Sequence, residues 1–296
     1  MRPANSHNAS IYQDRGLWGD AIRRFRGNQQ ALISLAILAS LTGLSVLGPL
    51  IVPHSYEAID KHQVWAPPLT DGHLLGTDAL GRDLFARIIL GLRISLLIGV
   101  VATLVSLVIG VGWGSIAGYL GGQVDSIMMR IVDAIYSLPF IFFVIILMTT
   151  FQRNFILIFL AIGAVEWLTM ARIVRGQAVS LRQREFIEAA RAIGMSSAPI
   201  IVRHIVPNLL GPVIVYSTLT IPGVILAESF LSFLGLGVQE PLTSLGVLIA
   251  QGAQDMEIAW WLLVFPSFVM VATLLSLNLV GDGLRDSLDP RATADA

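Results

Sequence analysis

Residues 172–208 read RIVRGQAVSLRQREFIEAARAIGMSSAPIIVRHIVPN, a charged, helix-patterned insert between two segments apolar enough to be buried in lipid. Six arginines (Arg172, Arg175, Arg182, Arg184, Arg191, Arg203) face two acids, Glu185 and Glu188. Phe186, Ala189, Ala190 and Ile193 recur at i, i+3, i+4, i+7, which lays a small apolar stripe along a short helix. Ser180 with Gln183 matches a capping box, and Gly194 can take the left-handed conformation that ends a helix. The spacing therefore predicts a helix beginning near 181 and stopping near 193. Ser196 or Ser197 caps a second short helix, with Pro199 in its first turn and Pro207 near its end.

Working outward, the 296 residues are 55% apolar and only 13% charged, with a mean hydropathy of +0.75, far from the balance of an ordinary soluble domain. The chain reads as an integral membrane protein with membrane lipid as its solvent. A net charge of −1 gives no basis for nucleic-acid binding. Without cysteine there is no disulfide, thiolate metal site or cysteine nucleophile. No Ser/His/Asp or metal-ligand constellation stands out either, so neither catalytic nor metal residues are expected. His7, His54, His62, His73 and His204 are scattered and read as solvated.

Six stretches are long enough to cross about 30 Å of hydrocarbon as helices: 31–52, 95–117, 129–150, 155–172, 209–230 and 260–280. Backbone amides in lipid need internal partners, and these runs lack the alternation of barrel strands, so the fold class is all-α and polytopic. The first run is longer than a signal-peptide core and lacks a small-residue cleavage site, so it reads as a retained span. Positive loops tend to stay cytoplasmic. Placing both termini and the insert inside assigns 14 of the 19 basic residues to the cytoplasm and leaves only Lys61, Arg82, Arg87, Arg93 and Arg153 outside. The expected organisation is a tail at 1–30, a six-helix domain at 31–281 with an outer loop at 53–94, the insert at 172–208, and a tail at 282–296. Within the first tail, Leu17, Trp18, Ile22 and Phe25 share one helical face beside Arg23, Arg24 and Arg26, the pattern of an interfacial elbow.

Several polar groups invite a role. Glu166 lies inside an apolar span, where a charge costs about 2.5–3.5 kcal/mol at the bilayer centre. It either lines a path or pairs with another helix or the Arg172 region. Glu228 and Asn278 can contribute to a polar wall. Gly110, Gly114 and Gly118 repeat every four residues and permit close helix approach. In the 76–83 string Asp78 is available as a cap, with Arg82 a partner for Asp78 or Asp83; the glycines lack phosphate-loop spacing.

On pattern alone the insert is either a coupling helix lying in a partner's groove, with Glu188 and Arg191 setting register, or an amphipathic loop on the membrane surface. The order Glu188-Ala189-Ala190, Gly194, Pro207 resembles the EAA loop of permease subunits in bacterial ATP-binding-cassette importers. His204 and Val206 stand where that pattern usually has isoleucine and leucine. Three further strings resemble the second permease subunit of dipeptide, oligopeptide and nickel importers: Leu75–Asp83, Phe230–Gly237 and Gly281–Pro290.

The resemblance implies a type I importer permease fold with both termini cytoplasmic, and an ATPase-coupling site of Glu188, Ala189, Ala190, Arg191 and Gly194. It also implies a homologous second permease, two ATP-binding subunits that hold ATP and Mg, and an extracytoplasmic peptide-binding protein. This chain would need no cofactor. Oligopeptides are the expected cargo, with dipeptides, nickel or another small solute as alternatives. The rival from another class is an ion-coupled secondary transporter using Glu166, which calls for inverted repeats and no ATPase.

Overall fold

The computed structural model describes residues 17–150 and 155–288. The expected turn at 151–154 and the tail residues 1–16 and 289–296 lie outside the described residues, as do the side chains of Leu17 and Trp18. Among the described residues there are helices and no strands. They are α1 (Leu17–Gly27), α2 (Gln29–Ile51), α3 (Leu84–Leu120), α4 (Gly122–Tyr136), α5 (Phe140–Thr150), α6 (Phe155–Arg182), α7 (Glu185–Ala192), α8 (Ser197–Ile200), α9 (Val206–Phe233), α10 (Leu245–Gln254) and α11 (Trp261–Leu288).

The elbow forms as α1. Asn28 breaks it from α2 and caps α2 by accepting the Ala31 amide at 3.1 Å. A Cβ on Gly283 would lie 2.4 Å from that of Ala31 and 3.3 Å from the Phe25 ring, so the elbow and the start of α2 press directly on the end of α11.

Four described helical stretches are long and apolar enough to span a membrane: Gln29–Ile51, Leu84–Leu120, Ser197–Phe233 and Trp261–Leu288. Three expected boundaries need correction. First, α3 begins at Leu84, inside the expected outer loop 53–94 and about three turns before the expected span. Arg87 and Arg93 lower the local hydropathy there, yet Arg87 is buried, and Asp83 caps the helix through the Ala86 amide at 2.7 Å. Second, the expected span 129–150 is two helices. The chain breaks at Ser137–Pro139 because the residue before a proline is forced out of the helical region.

Third, α6 runs past 172 to Arg182 and absorbs Ser180, so the expected capping box does not start a helix. The next helix starts at Glu185 after an extended Arg184. Pro207 likewise ends nothing. Ser197–Phe233 is continuous, and the stretch Ile201–Ile205 widens into a π turn closed by the Val206 amide on the Ile201 carbonyl. Proline cannot donate its amide and crowds the carbonyl four residues back, and a wide turn relieves both defects.

The glycine ladder sets a close helix contact. Cβ atoms on Gly110, Gly114 and Gly118 would meet Met170, Ala171 and Arg175 of α6 at 2.5–2.6 Å, so α3 and α6 touch backbone to backbone. Trp113 adds a clamp, edge-on to Trp167 at 5.3 Å and donating to the Met128 carbonyl of α4 at 3.2 Å.

Candidate functional site

The insert is seated on the bundle by one face of α7. Ile187 and Ala190 are buried among Tyr119, Val174, Ala178, Ile200, Ile205 and Leu209. The expected stripe therefore divides. Ala190 turns inward with Ile187, while Phe186 (43% exposed), Ala189 and Ile193 (79% exposed) face outward beside Glu188. After Ala192 the chain reverses through Gly194 at φ +81°. The Gly194 amide donates to Arg191 and that of Met195 to Ala190, a Schellman turn with Met195 packed on the same cluster as Ala190.

Arg191 does not point away from the protein. Its Nε donates to the Tyr119 hydroxyl at 3.2 Å, and its guanidinium lies 4.9 Å from the centre of that ring, binding α7 to the end of α3. Nearby, Arg175 on α6 makes a two-pronged ion pair with Asp125 on α4, at 2.6 and 2.7 Å. The Arg175 hydrogen bonds hold the Asp125 carboxyl below its ordinary pKa, against the opposing effect of burial. Tyr119, Asp125 and the pairing of Arg175 escaped sequence reading, because the partners lie 50 to 72 residues apart. The residues expected to couple, Glu188, Ala189, Ala190, Arg191 and Gly194, all lie on this one knob.

The three path candidates do not meet. Glu166 on α6 opens into a cleft lined by Tyr136, Pro139, Phe143 and Thr169, at the break between α4 and α5. Arg172 is engaged elsewhere, with Asp133 at 2.8 Å and over the Tyr136 ring at 4.2 Å. Glu228 is 0% exposed; its Oε1 accepts the hydroxyls of Ser232 and Ser244, both at 2.6 Å. Ser244 in turn caps α10 through the Val247 amide, so Glu228 fixes α10 onto α9. Its Oε2 has no hydrogen-bond partner among the described residues. Asn278 is exposed and donates back to the Leu274 carbonyl.

At the other end of α3, Asp78 accepts the amides of Leu80 and Arg82 and the guanidinium groups of Arg82 and Arg87. Arg82 extends the network to Glu240 at 2.9 Å, and Arg87 extends it to Gln251 at 3.2 Å. Burial pushes the Asp78 carboxyl up, but the Arg87 charge, the two amides and Arg82 together outweigh burial and hold its pKa below the usual range. Arg82 thus pairs with Asp78, and Asp83 is the helix cap. His73 departs from the solvated reading: it is buried, with Nδ1 2.8 Å from Asp83 Oδ2.

Residues 110–294 match the family described as the binding-protein-dependent transport system inner membrane component, and residues 16–68 match the N-terminal TM domain of oligopeptide transport permease C. The chain belongs to the family of inner membrane components of binding-protein-dependent transport systems. It is similar to the oligopeptide transport system permease protein OppC of Haemophilus influenzae, 51% identical over 280 residues covering 94% of this chain and 90% of that one. OppC of Escherichia coli K12 is 52% identical over 280 residues, 94% and 93% of the two chains. The dipeptide transport system permease protein DppC of Bacillus subtilis is 44% identical over 273 residues, 92% and 85% of the two chains.

Proposed function

We propose that this permease is a translocation subunit of an ATP-binding-cassette importer that carries oligopeptides across the cytoplasmic membrane. In this reading six transmembrane helices place both termini and α7 on the cytoplasmic side. A homologous permease completes the pathway, two separate ATP-binding subunits hold ATP and Mg, and an extracytoplasmic peptide-binding protein delivers cargo. In this reading the chain performs no catalysis, and transport requires no cofactor of its own. Oligopeptide cargo rests on the 51–52% identity to the OppC proteins of Haemophilus influenzae and Escherichia coli K12.

The observation that carries the coupling role is the split face of α7. Ile187 and Ala190 bind it to the bundle while Phe186, Ala189, Ile193 and Glu188 remain outward. A short helix anchored on one side and apolar on the other fits a groove on a partner. Closure of the ATPase pair would push this knob, and through Arg191–Tyr119 and the continuous helix from Ser197 would tilt α3 and α9. Glu166, at the mouth of its cleft, is the path-lining group of this reading.

Gly194 tests it. Nothing lies within 4 Å of a Cβ there, so substitution strains the left-handed backbone without a clash. Asparagine tolerates that conformation and a β-branched residue does not. Peptide uptake and peptide-stimulated ATP hydrolysis, measured on the reconstituted complex, should survive Gly194→Asn. In Gly194→Val, uptake should fall and hydrolysis should no longer respond to peptide, while the subunits still assemble. Wild-type uptake by Gly194→Val would remove α7 from the mechanism.

A further inference from the structure

At the Leu84 end of α3, remote from α7, three side chains converge that the transport reading leaves without a role. His54 follows the end of α2, His73 lies in the turn bounded by the Thr70–His73 bridge, and Asp83 immediately precedes α3. One nitrogen or oxygen from each lies within 4.8 Å of the other two. His73 Nδ1 is 2.8 Å from Asp83 Oδ2, and the His54 ring stands edge-on to His73 with centroids 4.4 Å apart and planes at 83°. His73 and Asp83 are buried and His54 is half-buried.

We infer that His54, His73 and Asp83 form a binding site for a divalent transition-metal ion, with zinc as its natural probe. Two imidazoles and one carboxylate suit Zn²⁺, and three protein ligands leave a fourth tetrahedral position open to water. Bonds of about 2.0–2.2 Å set tetrahedral ligand atoms roughly 3.4 Å apart, so ligand atoms now within 4.8 Å of one another need to close by about 1.4 Å at most. The carboxylate is already oriented: Asp83 Oδ1 accepts the Ala86 amide at 2.7 Å, the kind of outer bond that aims a metal ligand. The His73 backbone is also fixed, donating to the Thr70 carbonyl and accepting from the Leu69 amide.

Without a metal, His73 and Asp83 make a hydrogen bond joining the loop to the helix cap, and His54 contributes only a ring edge. With one, the end of α2, the 53–83 segment and the start of α3 share a single cross-link, and the folded state gains stability in proportion to its occupancy.

The test uses the tag-free permease complex, stripped with a chelator and titrated with Zn²⁺. Calorimetry and elemental analysis should show one saturable zinc per copy of this chain beyond what a His54→Ala complex binds, and a raised unfolding temperature. His54→Ala should weaken that zinc on the order of tenfold or more, and should change the metal-free unfolding temperature far less than it changes the zinc-induced rise. Equal zinc binding in the wild type and His54→Ala overturns the inference, as does the absence of saturable binding in the wild type. Were His54→Ala unable to fold, His54→Asn would be judged by the same criterion.

Discussion

Replacing Gly114 by alanine should force apart α3 and α6, which touch backbone to backbone. The added methyl would sit 2.5 Å from the Ala171 carbonyl oxygen and 2.8 Å from Val174 Cβ, roughly 1 Å short of ordinary van der Waals contact. The neighbouring atoms are backbone and a branched side chain, so α6 must move as a unit. A gap of 0.5–1 Å forfeits about a quarter to a half of each neighbouring contact's attraction, and overpacking of this kind costs about 1–3 kcal/mol. Against this stands the helix preference of alanine over glycine, up to about 1 kcal/mol. Gly112 separates the two effects, since a Cβ there meets nothing within 4 Å. Thermal unfolding of the purified complex should place Gly112→Ala at or above wild type and Gly114→Ala about 1–3 kcal/mol below Gly112→Ala. Coincident unfolding of the two variants would refute the close-packing argument.

Tyr119→Phe removes the hydroxyl that accepts from Arg191 and keeps the ring beneath the guanidinium, so it should lose about 1.5–3 kcal/mol of anchorage for α7. Peptide-stimulated ATP hydrolysis should fall in that variant, and fall further in Tyr119→Ala. Asp78 has a depressed pKa, so its contribution is fully present above the usual aspartate value of about 3.9 and is lost as pH falls through the lower folded value. Asp78→Asn should remove that acid-side dependence. At neutral pH it should cost about 3–5 kcal/mol by leaving Arg87, only 2% exposed, without its carboxylate, and unfolding curves across pH check both effects. Glu228→Gln keeps the acceptor for Ser232 and Ser244 and removes an ionisable group from the interior, so its unfolding midpoint should equal or exceed wild type. Glu228→Leu strands both hydroxyls and should lose about 1–3 kcal/mol.

The apolar runs made the all-helical class legible, and Gly194 announced the end of α7, because hydropathy and left-handed turns are local properties. The start of α3 was not legible. Arg87 resembles a solvent-facing charge until Asp78, folded back across the start of α3, and Gln251, brought from far along the chain, surround it. Ser180 carried a capping signature, but α6 packs so closely on α3 that the helix continues through it. His73 looked solvated because its partner, Asp83, reaches it only after the intervening turn folds. Of the coupling residues, the i, i+3, i+4 pattern gave the right helix but could not say that Ala190 turns inward while Ala189 does not. That division depends on where α3 and the Ser197–Phe233 helix stand.

The helix from Ser197 to Phe233 has its only widened turn at Ile201–Ile205, between the coupling knob and the long apolar stretch that carries Glu228. That turn and the two prolines farther along, Pro212 and Pro222, are the points at which such a rod bends most easily. Under the coupling role proposed for α7, the stiffness of these points would set the gearing: a firm rod would deliver a push to its far end, and a compliant one would spend it near the fulcrum.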